Sequence, residues 1–375
     1  MKIGFDAKRA TLNFRGLGNY SRTLISGLVN YYPEHEYQLF SPHFNPDRIL
    51  FWQETLKQCR VVTPTKNWGK AFDSVWRSLF LSQFINQKKL DLYHGLSHEL
   101  PRGIDSSVRT FVTIHDLIFL RYPQYFSFID RAVFYQKFKY SIERADVVLA
   151  ICEQTKNDIL HFFPGTKPEK IHIHYQAVHP SFEAEKNPIM LESIANKYAL
   201  PADFILNVGA FETRKNQLHL IEAFAREASS HQHHLILVGR GGAYLKSCQQ
   251  KVSDLKISDR VSFLDQVTAD ELPYLYHQCS FVAFPSIFEG FGLPIVEAHM
   301  SGKPVISSTG SCFHESGGDG AIYVDPYDVE GLSREILNLI LNQDLYQNLK
   351  SNGLRHVQKF TSKASTQNLM SLYRS

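Results

Sequence analysis

Short, almost uninterrupted apolar runs alternate with longer segments of helical periodicity along nearly the whole chain. In the first half we predict strands at 2–6, 37–40, 91–94, 109–114 and 147–152. In the second half we predict strands at 204–208, 234–238, 260–264, 281–284 and 304–307. Helix-length segments lie between them at 19–31, 71–88, 128–145, 217–228, 269–278 and 328–341. Apolar strands separated by helices are typical of parallel sheets covered on both faces, so the pattern predicts an α/β fold.

The alternation pauses at about 176–200, where prolines and charged residues replace the strand pattern. We interpret this stretch as a linker. The chain has 375 residues, which is more than a single hydrophobic core usually serves. We therefore predict two Rossmann-like parallel-sheet domains, at residues 1–177 and 178–359.

Composition and charge narrow the classes of function. A net charge of +3 is too small to suggest a nucleic-acid partner through bulk electrostatics. The five cysteines are scattered and lack CxxC spacing, which indicates a reducing compartment rather than a disulfide framework. The start of the chain, MKIGFDAKRA, carries no apolar signal region, and no apolar run approaches membrane-spanning length. We expect a cytoplasmic protein of enzyme size.

The loop after the predicted strand at 281–284 combines two glutamates with glycine and proline. In FPSIFEGFGLPIVEA, Glu289 and Glu297 stand eight positions apart. Pro294 has the fixed φ favoured in the first turn of a helix, so we predict a strand-to-helix loop with Glu297 in the first helical turn. In open parallel sheets, ligands bind at such loops, beyond the carboxyl ends of the strands.

The same loop offers backbone N–H groups at Phe291, Gly292 and Leu293. Glycines let a ligand approach the main chain closely, and a helix N-terminus favours an anion. Two carboxylates around such a turn suit the two ends of an elongated, hydroxyl-rich ligand with an anionic middle, such as a nucleotide-sugar. The alternative is a tight turn in which Glu289 is solvated and Glu297 only suits the helix dipole.

A second loop, VGAFETRKNQLHLIEAF at 208–224, places two cations at a helix N-terminus. Because a helix begins near Asn216, Arg214 and Lys215 lie where the helix dipole disfavours positive charge. A bound diphosphate would satisfy both cations. The alternative is that both side chains reach solvent or pair with Glu212.

Two loops in the first half carry weaker signals. Gly16 and Gly18 stand just before a helix predicted to begin near Asn19, where they either let a ligand approach or form a plain turn. His115 and Asp116 follow the strand at 109–114. The histidine either contacts a ligand or packs inside a turn that the aspartate caps.

Several familiar motifs are missing from the sequence. It contains no Asp-x-Asp, the usual acidic clamp for a metal-bound nucleotide-sugar, and no GxxxxGK[ST], GxSxG, HExxH or GxGxxG. We therefore expect no metal and no other cofactor.

Read together, these loops resemble the family-4 retaining glycosyltransferases of GT-B fold, a group 1, mannosyltransferase-like family. The matching segments are GFDAKRA, RGLGNYSRTL, TIHDLIFLRYPQYF, VGAFETRKNQLHLIEAF, FPSIFEGFGLPIVEAHMSGKPVISS and GGDGAIYVDPYD, which cover nearly the whole chain. EGFGLPIVEA fits the family's glutamate–seven–glutamate motif. The resemblance implies two Rossmann-like domains facing a central cleft, with a final helix at about 360–375 that crosses back to the first domain.

The resemblance also implies roles for residues of the second domain. Glu297 would hold the ribose hydroxyls, and Arg214 and Lys215 would neutralise the pyrophosphate. The donor sugar would be contacted by Glu289 and by the main chain at Gly290, Phe291, Gly292 and Leu293.

In the first domain, the resemblance implies that His115 reaches the donor sugar. Gly16 and Gly18 would lie near the phosphates or the acceptor. The catalytic group would then consist of His115, Glu289, Arg214 and Lys215.

The implied reaction is metal-independent transfer of a hexose, of mannose or glucose type, with retention of configuration. The donor would be a GDP- or UDP-sugar, and the acceptor a glycan or lipid-linked acceptor in cell-surface polysaccharide synthesis. A nucleotide-sugar epimerase or hydrolase on the same fold is an open alternative. A non-catalytic nucleotide-sugar-binding protein is another.

Two segments of the first domain, 66–84 and 121–140, mix aromatic residues with lysine and arginine. Such segments either touch a lipid-linked acceptor or an anionic membrane surface, or they pack their aromatic side chains inside the domain. We therefore hold peripheral contact with the cytoplasmic face of the membrane as a hypothesis.

Overall fold

The computed structural model describes residues 1–14, 16–64 and 80–375. Its contacts divide the chain into two compact units. The first contains Met1–Ala177 together with Ser362–Ser375, and the second contains Val178–Thr361. The helix predicted at 71–88 and the aromatic segment 66–84 fall mainly on residues 65–79, outside the described residues.

The described part of the first unit is built on a parallel sheet with strand order β3-β2-β1-β4-β5-β6-β7. The strands are β1 (Lys2–Asp6), β2 (Glu36–Phe40), β3 (Cys59–Val62), β4 (Leu92–Gly95), β5 (Arg109–Ile114), β6 (Val147–Ala150) and β7 (Ile171–Ile173). The helices are α1 (Lys8–Leu12), α2 (Gly16–Tyr31), α3 (Gln53–Lys57), α4 (Leu81–Gln87), α5 (Ile118–Arg121), α6 (Phe128–Arg144) and α7 (Glu153–Phe162). Short 3-10 segments lie at Pro46–Trp52, Pro123–Tyr125 and Pro168–Lys170.

The second unit has a parallel sheet with strand order β10-β9-β8-β11-β12-β13. The strands are β8 (Phe204–Val208), β9 (His234–Val238), β10 (Val261–Leu264), β11 (Phe281–Phe284), β12 (Val305–Ser308) and β13 (Ala321–Val324). The helices are α8 (Pro180–Glu183), α9 (Pro188–Tyr198), α10 (Gln217–Glu227), α11 (Ala243–Asp254), α12 (Leu272–Gln278), α13 (Leu293–Met300), α14 (Phe313–Gly317), α15 (Val329–Leu341) and α16 (Gln343–His356). Its 3-10 segments are Thr213–Lys215, Gly318–Gly320 and Val357–Phe360.

The central strands of both sheets are buried on both faces. In the first sheet, Ile3 of β1 stands between Tyr37 of β2 and Leu92 of β4. In the second, Leu206 of β8 stands beside Ile236 of β9. Because all strands of a sheet run the same way, the loops that leave their carboxyl ends gather at one edge. Among the described helices, none combines the length and hydrophobicity of a membrane span.

The last helix, α17 (Ser362–Arg374), belongs to the first unit although it comes at the end of the chain. Its Tyr373 hydroxyl forms a hydrogen bond of 2.6 Å with His94 Nδ1, and Ser365 Oγ donates to the carbonyl of Tyr175 at 2.9 Å. Gly27 lets α2 approach α17 closely, since a Cβ at this position would lie 2.2 Å from Oγ1 of Thr366.

A strand occurs at each of the ten positions where the sequence predicts one. The sequence reading missed β3, β7 and β13, which are short strands at sheet edges, with sequences CRVV, IHI and AIYV. Edge strands are buried less, so their sequences carry a weaker apolar signal.

The interpretation of 176–200 as a linker is wrong for most of its length. Residues from Val178 onward fold into the second unit and include α8 and α9. Pro180 and Pro188 each occupy the first position of one of these helices, where proline is favoured because its missing N–H needs no intrahelical acceptor. The prolines therefore mark helix starts.

Gly18 provides a test of backbone packing in the first unit. A Cβ at this position would lie 1.7 Å from the carbonyl oxygen of Asn13, so backbone must move to admit one. We expect Gly18→Ala to lower the free energy of unfolding by about 2 kcal/mol or more. Urea denaturation followed by circular dichroism measures the change.

Gly16 is the matched control for Gly18. Apart from its chain neighbours and its own helix, a Cβ added to Gly16 would have no atom of the described residues within 4 Å, so Gly16→Ala is expected to be neutral or slightly stabilising. Equal unfolding midpoints for the two variants would contradict the packing role of Gly18.

Candidate active site

Asn216 ties the loop between β8 and α10 to its surroundings. Asn216 has φ 62°, in the left-handed region, and separates the 3-10 segment Thr213–Lys215 from α10. Its side-chain amide donates to the carbonyl of Pro285 at 3.1 Å and to that of Pro326 at 2.6 Å. Asn tolerates this backbone region better than most residues, and its bonds tie the loop to two neighbouring loops.

Arg214 and Lys215 pair with Glu289 across two loops. Arg214 Nη1 lies 2.9 Å from Glu289 Oε2, and Lys215 Nζ lies 2.6 Å from Glu289 Oε1. All three side chains are only 11–15 % exposed. Glu212, which is more exposed, reaches Arg214 at 3.4 Å. Of the alternatives open from the sequence, a solvated Glu289 and solvent-exposed cations are wrong, whereas pairing with Glu212 holds for Arg214.

The charge state of Glu289 follows from this environment. Burial raises the pKa of the carboxyl group, but the opposing charges of Lys215 and Arg214 outweigh it and hold the pKa below its ordinary value. Glu289 is therefore ionised at neutral pH. The three side chains form a mostly buried group with one net positive charge at the start of α10.

The backbone of Glu289 is fixed by a third loop. Its N–H donates to Ser311 Oγ at 3.2 Å, and Ser311 Oγ donates to its carbonyl at 3.1 Å. Cys312 Sγ donates to the same carbonyl at 3.4 Å. Sequence reasoning missed Ser311 and Cys312, because serine and cysteine in the stretch SSTGSC carry no motif of their own.

Gly292 sets the turn between Glu289 and α13. It has φ 84° and caps the helix, a conformation that favours glycine. Phe291 is buried and its ring packs edge-on against Phe360, with the centroids 5.3 Å apart. The Phe291 side chain therefore anchors the turn. At the start of α13 the N–H of Leu293 has no acceptor within the helix, Pro294 has no N–H, and the N–H of Ile295 donates to the carbonyl of Gly292 at 2.9 Å.

Glu297 is the fifth residue of α13, so its predicted place in the first helical turn is wrong. The helix starts at Leu293, one residue before Pro294. Tyr276 of α12 is buried and donates its hydroxyl to Glu297 Oε2 at 2.9 Å. Burial raises the pKa of Glu297 to about 7, although the Tyr276 bond favours the ionised form. Sequence reasoning missed Tyr276, which belongs to no recognisable motif.

His115 follows β5 directly and is buried in the first unit. Its Nε2 lies 2.9 Å from the carbonyl of Leu96, so this nitrogen carries the proton, and Nδ1 lies 3.1 Å from the side-chain amide of Gln176. The ring of Tyr20 packs edge-on, with the centroids 4.5 Å apart. Burial lowers the pKa of His115 to about 4, which makes the imidazole neutral. Asp116 accepts a hydrogen bond of 3.2 Å from the N–H of Ile118, as a turn cap.

Gly16 and Gly18 lie inside the first turn of α2, so the predicted loop before Asn19 is wrong. The close approach of Gly18 to Asn13 gives it a packing role, whereas Gly16 is open. Contact of either glycine, or of His115, with a ligand stays a prediction.

The structure brings Arg214, Lys215 and Glu289 into direct contact, with Gly290, Phe291, Gly292 and Leu293 in the turn that follows. His115, Gly16 and Gly18 belong to the other unit. Within residues 1–14, 16–64 and 80–375, no three His, Cys, Asp or Glu side chains are grouped so that they could hold a metal ion.

Two family models match the chain. The model for glycosyl transferases group 1 matches residues 192–356, and the model for glycosyltransferase family 4 matches residues 14–182. The first match contains the Arg214, Lys215 and Glu289 group together with Glu297. The second contains His115.

Curated relatives match over most or all of the chain. The O-antigen chain mannosyltransferase RfbU of Salmonella typhimurium is 32 % identical over 71 % of this chain and 69 % of its own length. O-antigen chain mannosyltransferase B of Escherichia coli is 27 % identical over 100 % of both chains.

Solved structures share the fold. Anabaena HepE, crystallised in complex with UDP and glucose, has a TM-score of 0.75 at 20 % identity, covering 100 % of this chain and 99 % of that one. WaaG, a glycosyltransferase involved in lipopolysaccharide biosynthesis, has a TM-score of 0.72 at 16 % identity, with coverages of 100 % and 99 %. The predicted fold class is confirmed.

The ion pairs of Glu289 generate a stability test. Glu289→Ala leaves two mostly buried cations without their carboxylate, so we expect the free energy of unfolding at pH 7 to fall by about 3 kcal/mol. Because the pKa of Glu289 is lowered on folding, its contribution is present above the unfolded pKa and is lost as pH falls through the folded value. The difference from the parent protein should therefore shrink below about pH 4.

Glu212→Ala is the control, since Glu212 forms a longer and more exposed pair with Arg214. We expect this variant to change stability by less than about 1 kcal/mol. Urea denaturation at pH 7 and at about pH 3 measures both variants. A Glu289→Ala effect as small as that of Glu212→Ala would contradict the buried charge group.

Proposed function

This chain belongs to the group 1 glycosyltransferases, enzymes of GT-B fold, and we propose that it transfers a mannose-type hexose from a GDP- or UDP-sugar to a glycan or lipid-linked acceptor. Membership makes the chain a glycosyltransferase. The relatives named as O-antigen chain mannosyltransferases support both the choice of hexose and a role in O-antigen-type polysaccharide synthesis.

One observation carries the proposal for the donor. Arg214 and Lys215 are mostly buried at the start of α10, and together with Glu289 they leave one net positive charge there. A helix N-terminus adds partial positive charge of its own. A diphosphate is the anion that best matches two adjacent cations of this kind, because an arginine binds phosphate oxygens in a bidentate way.

The reaction then depends on charge stabilisation. When the bond between the hexose and the diphosphate breaks, negative charge develops on the diphosphate, and Arg214 and Lys215 stabilise it. Two cations supply the neutralisation that a metal ion supplies elsewhere, so we propose that transfer is metal-independent. We further propose front-face attack, in which the donor's own phosphate takes the acceptor proton and configuration is retained.

The remaining site residues bind and orient the donor. Glu289, held by its ion pairs, accepts hydrogen bonds from hexose hydroxyls. Glu297 accepts hydrogen bonds from the ribose. His115 contributes a neutral imidazole, and it would form a hydrogen bond with the hexose by exchanging its Gln176 partner for a sugar hydroxyl.

Steady-state kinetics with the active nucleotide-sugar tests these roles. Thermal stabilisation by GDP-mannose, UDP-glucose and related donors first identifies that sugar. We expect Arg214→Ala to lower kcat by about 100-fold or more, since it removes a charge that stabilises the leaving group. Glu297→Ala should instead raise the donor KM by about tenfold, with a smaller change in kcat.

Arg226→Ala is the matched control, because Arg226 lies exposed in the last turn of the same helix. Its kinetics should equal those of the parent enzyme. Parent-like kinetics for Arg214→Ala and Glu297→Ala would overturn the site assignment. Loss of turnover in excess EDTA would overturn metal independence.

We also propose that the first unit contacts an anionic membrane on its cytoplasmic side, through the start of α6. Phe128 is 78 % exposed and Ile129 73 % exposed, and Val133 continues the same exposed face one turn further. Arg131, which is partly exposed, lies within this face, and Lys139, which pairs with Glu143 at 3.9 Å, lies further along the helix. An exposed apolar face flanked by cations is suited to the headgroup region of an anionic bilayer, where a lipid-linked acceptor would be found.

Vesicle sedimentation tests this contact. The double variant Phe128→Ser with Ile129→Ser should bind vesicles containing anionic phosphatidylglycerol about tenfold more weakly than the parent protein, because two exposed apolar side chains are removed. Phe51→Ser, which changes another exposed phenylalanine of the same unit, is the control and should bind as the parent does. Equal binding by all three proteins, or none by the parent, would contradict the proposal.

A further inference from the structure

Two exposed phenylalanines form a ring pair on the first unit that the proposed chemistry does not use. Phe14 is 44 % exposed and follows α1, while Phe51 is 67 % exposed and lies in the 3-10 segment Pro46–Trp52. Their ring centroids are 6.4 Å apart. Exposing two neighbouring aromatic rings to water is energetically unfavourable, and such a patch often marks a binding site.

Two arginines, Arg22 and Arg48, contact this pair of rings. The Arg22 guanidinium carbon lies 5.5 Å from the centroid of each ring, and that of Arg48 lies 5.7 Å from Phe14. Arg22 is buried and donates to the carbonyls of Ala10 and Asn13, each at 2.8 Å. No carboxylate among the described residues lies within 4 Å of it. Arg22 therefore binds the main chain just before Phe14 and also contacts both rings.

Phe51 is fixed by its own neighbours in the chain. Ile49 and Trp52 are both buried, so Phe51 lies between two anchors. Trp52 Nε1 donates to Ser26 Oγ of α2 at 2.7 Å, and Ser26 Oγ lies 2.9 Å from Thr55 Oγ1. The main chain beside Phe51 is thus attached to α2, and Arg22 of α2 contacts both rings.

Phe14 and Phe51 lie in segments that leave the carboxyl edge of the first sheet. Phe14 comes after β1 and Phe51 after β2, whereas His115 comes directly after β5. In the order β2-β1-β4-β5, three strand spacings separate β2 from β5, roughly 14 Å. Helix α2 lies between the two places, since its Tyr20 contacts His115 and its Arg22 contacts the rings.

We propose that Phe14 and Phe51 form a subsite for the acceptor glycan, binding a pyranose ring some residues away from the hydroxyl that receives the hexose. The inference rests on the proposed function, in which the acceptor is a glycan. A pyranose presents a face of C–H groups that packs on an aromatic ring, and its hydroxyls at the rim can accept hydrogen bonds from Arg48. The strands that precede Phe14 and Phe51 lie two and three positions from β5, roughly 10 and 14 Å, which exceeds one sugar ring, so the subsite should act only on longer acceptors.

The size and chemistry of the surface favour a glycan over a lipid. The pair consists of two rings bordered by guanidinium groups, whereas acyl chains are better served by a continuous apolar face such as the start of α6. Carbohydrate also needs no large apolar area, because stacking on one or two rings and a few hydrogen bonds suffice.

Acceptor kinetics and binding test the subsite with methyl α-mannoside, mannobiose and mannotetraose as probes. Phe51→Ala and Phe14→Ala should raise KM, or the dissociation constant measured by NMR, for mannotetraose by about fivefold to tenfold. The KM or dissociation constant for methyl α-mannoside should not change, and neither should the KM for the donor. Tyr31→Ala, which removes a ring that is 44 % exposed at the far end of α2, is the control and should leave all of these values unchanged.

Four results would overturn the inference. They are an equal rise in KM for methyl α-mannoside, no change for mannotetraose, loss of vesicle binding by the Phe51 variant, and a change in its oligomeric state by light scattering. The last two would assign the rings to a lipid or to a second copy of the chain.

Failure of the subsite is distinguishable from failure of the proposed function. Thermal stabilisation by a nucleotide-sugar and hydrolysis of that sugar without acceptor report on the donor site alone. If the donor is used but the parent enzyme binds no mannose oligosaccharide more tightly than methyl α-mannoside, the subsite is refuted and the donor function stands. If no nucleotide-sugar stabilises the protein or is consumed, the proposed function itself fails.

Discussion

Two cations placed at the start of one helix need a carboxylate, and this requirement joins three loops of the second unit. Arg214 and Lys215 follow β8, Glu289 follows β11, and Ser311 follows β12. Glu289 pairs with both cations while Ser311 binds its main chain. Each charge stabilises the others in a place where none would be stable alone. The carboxyl edge of this sheet is therefore organised around a charge group rather than around apolar contacts.

The carboxyl edge of the first sheet is organised differently. His115 is neutral, and Thr113 Oγ1 lies within hydrogen-bond distance of both Tyr20 and His94, so hydroxyls and uncharged imidazoles surround the ends of β4 and β5. Asp6, at the end of β1, is buried as well. Exposed aromatic rings stand further along the same unit. One unit is thus suited to an anion and the other to an uncharged, hydroxyl-rich molecule, which matches the two substrates of a glycosyltransferase.

The sequence predicts what depends on local pattern and misses what depends on distant contacts. The nine central strands, the edge strand β10 and the strand-to-helix loops follow from apolar runs, glycine and proline, and so does the choice of Glu289, Arg214 and Lys215. Their mutual pairing does not, because nothing in either loop specifies the other. Tyr276 and Ser311 are ordinary residues in sequence and become important only through the carboxylate or main chain that folding brings to them. The resemblance to a known family supplied the order of the loops, which no single motif contains.

The position of α17 in the chain has a consequence for folding during synthesis. Because α17 completes the core around His94 and Phe111, and Tyr373 is among its buried residues, the first unit lacks part of its interior until α17 has been synthesised. The second unit, Val178–Thr361, is continuous and can acquire its core earlier. The unit that is synthesised first is therefore the unit that completes its folding last. Until then the nascent chain exposes part of its hydrophobic core.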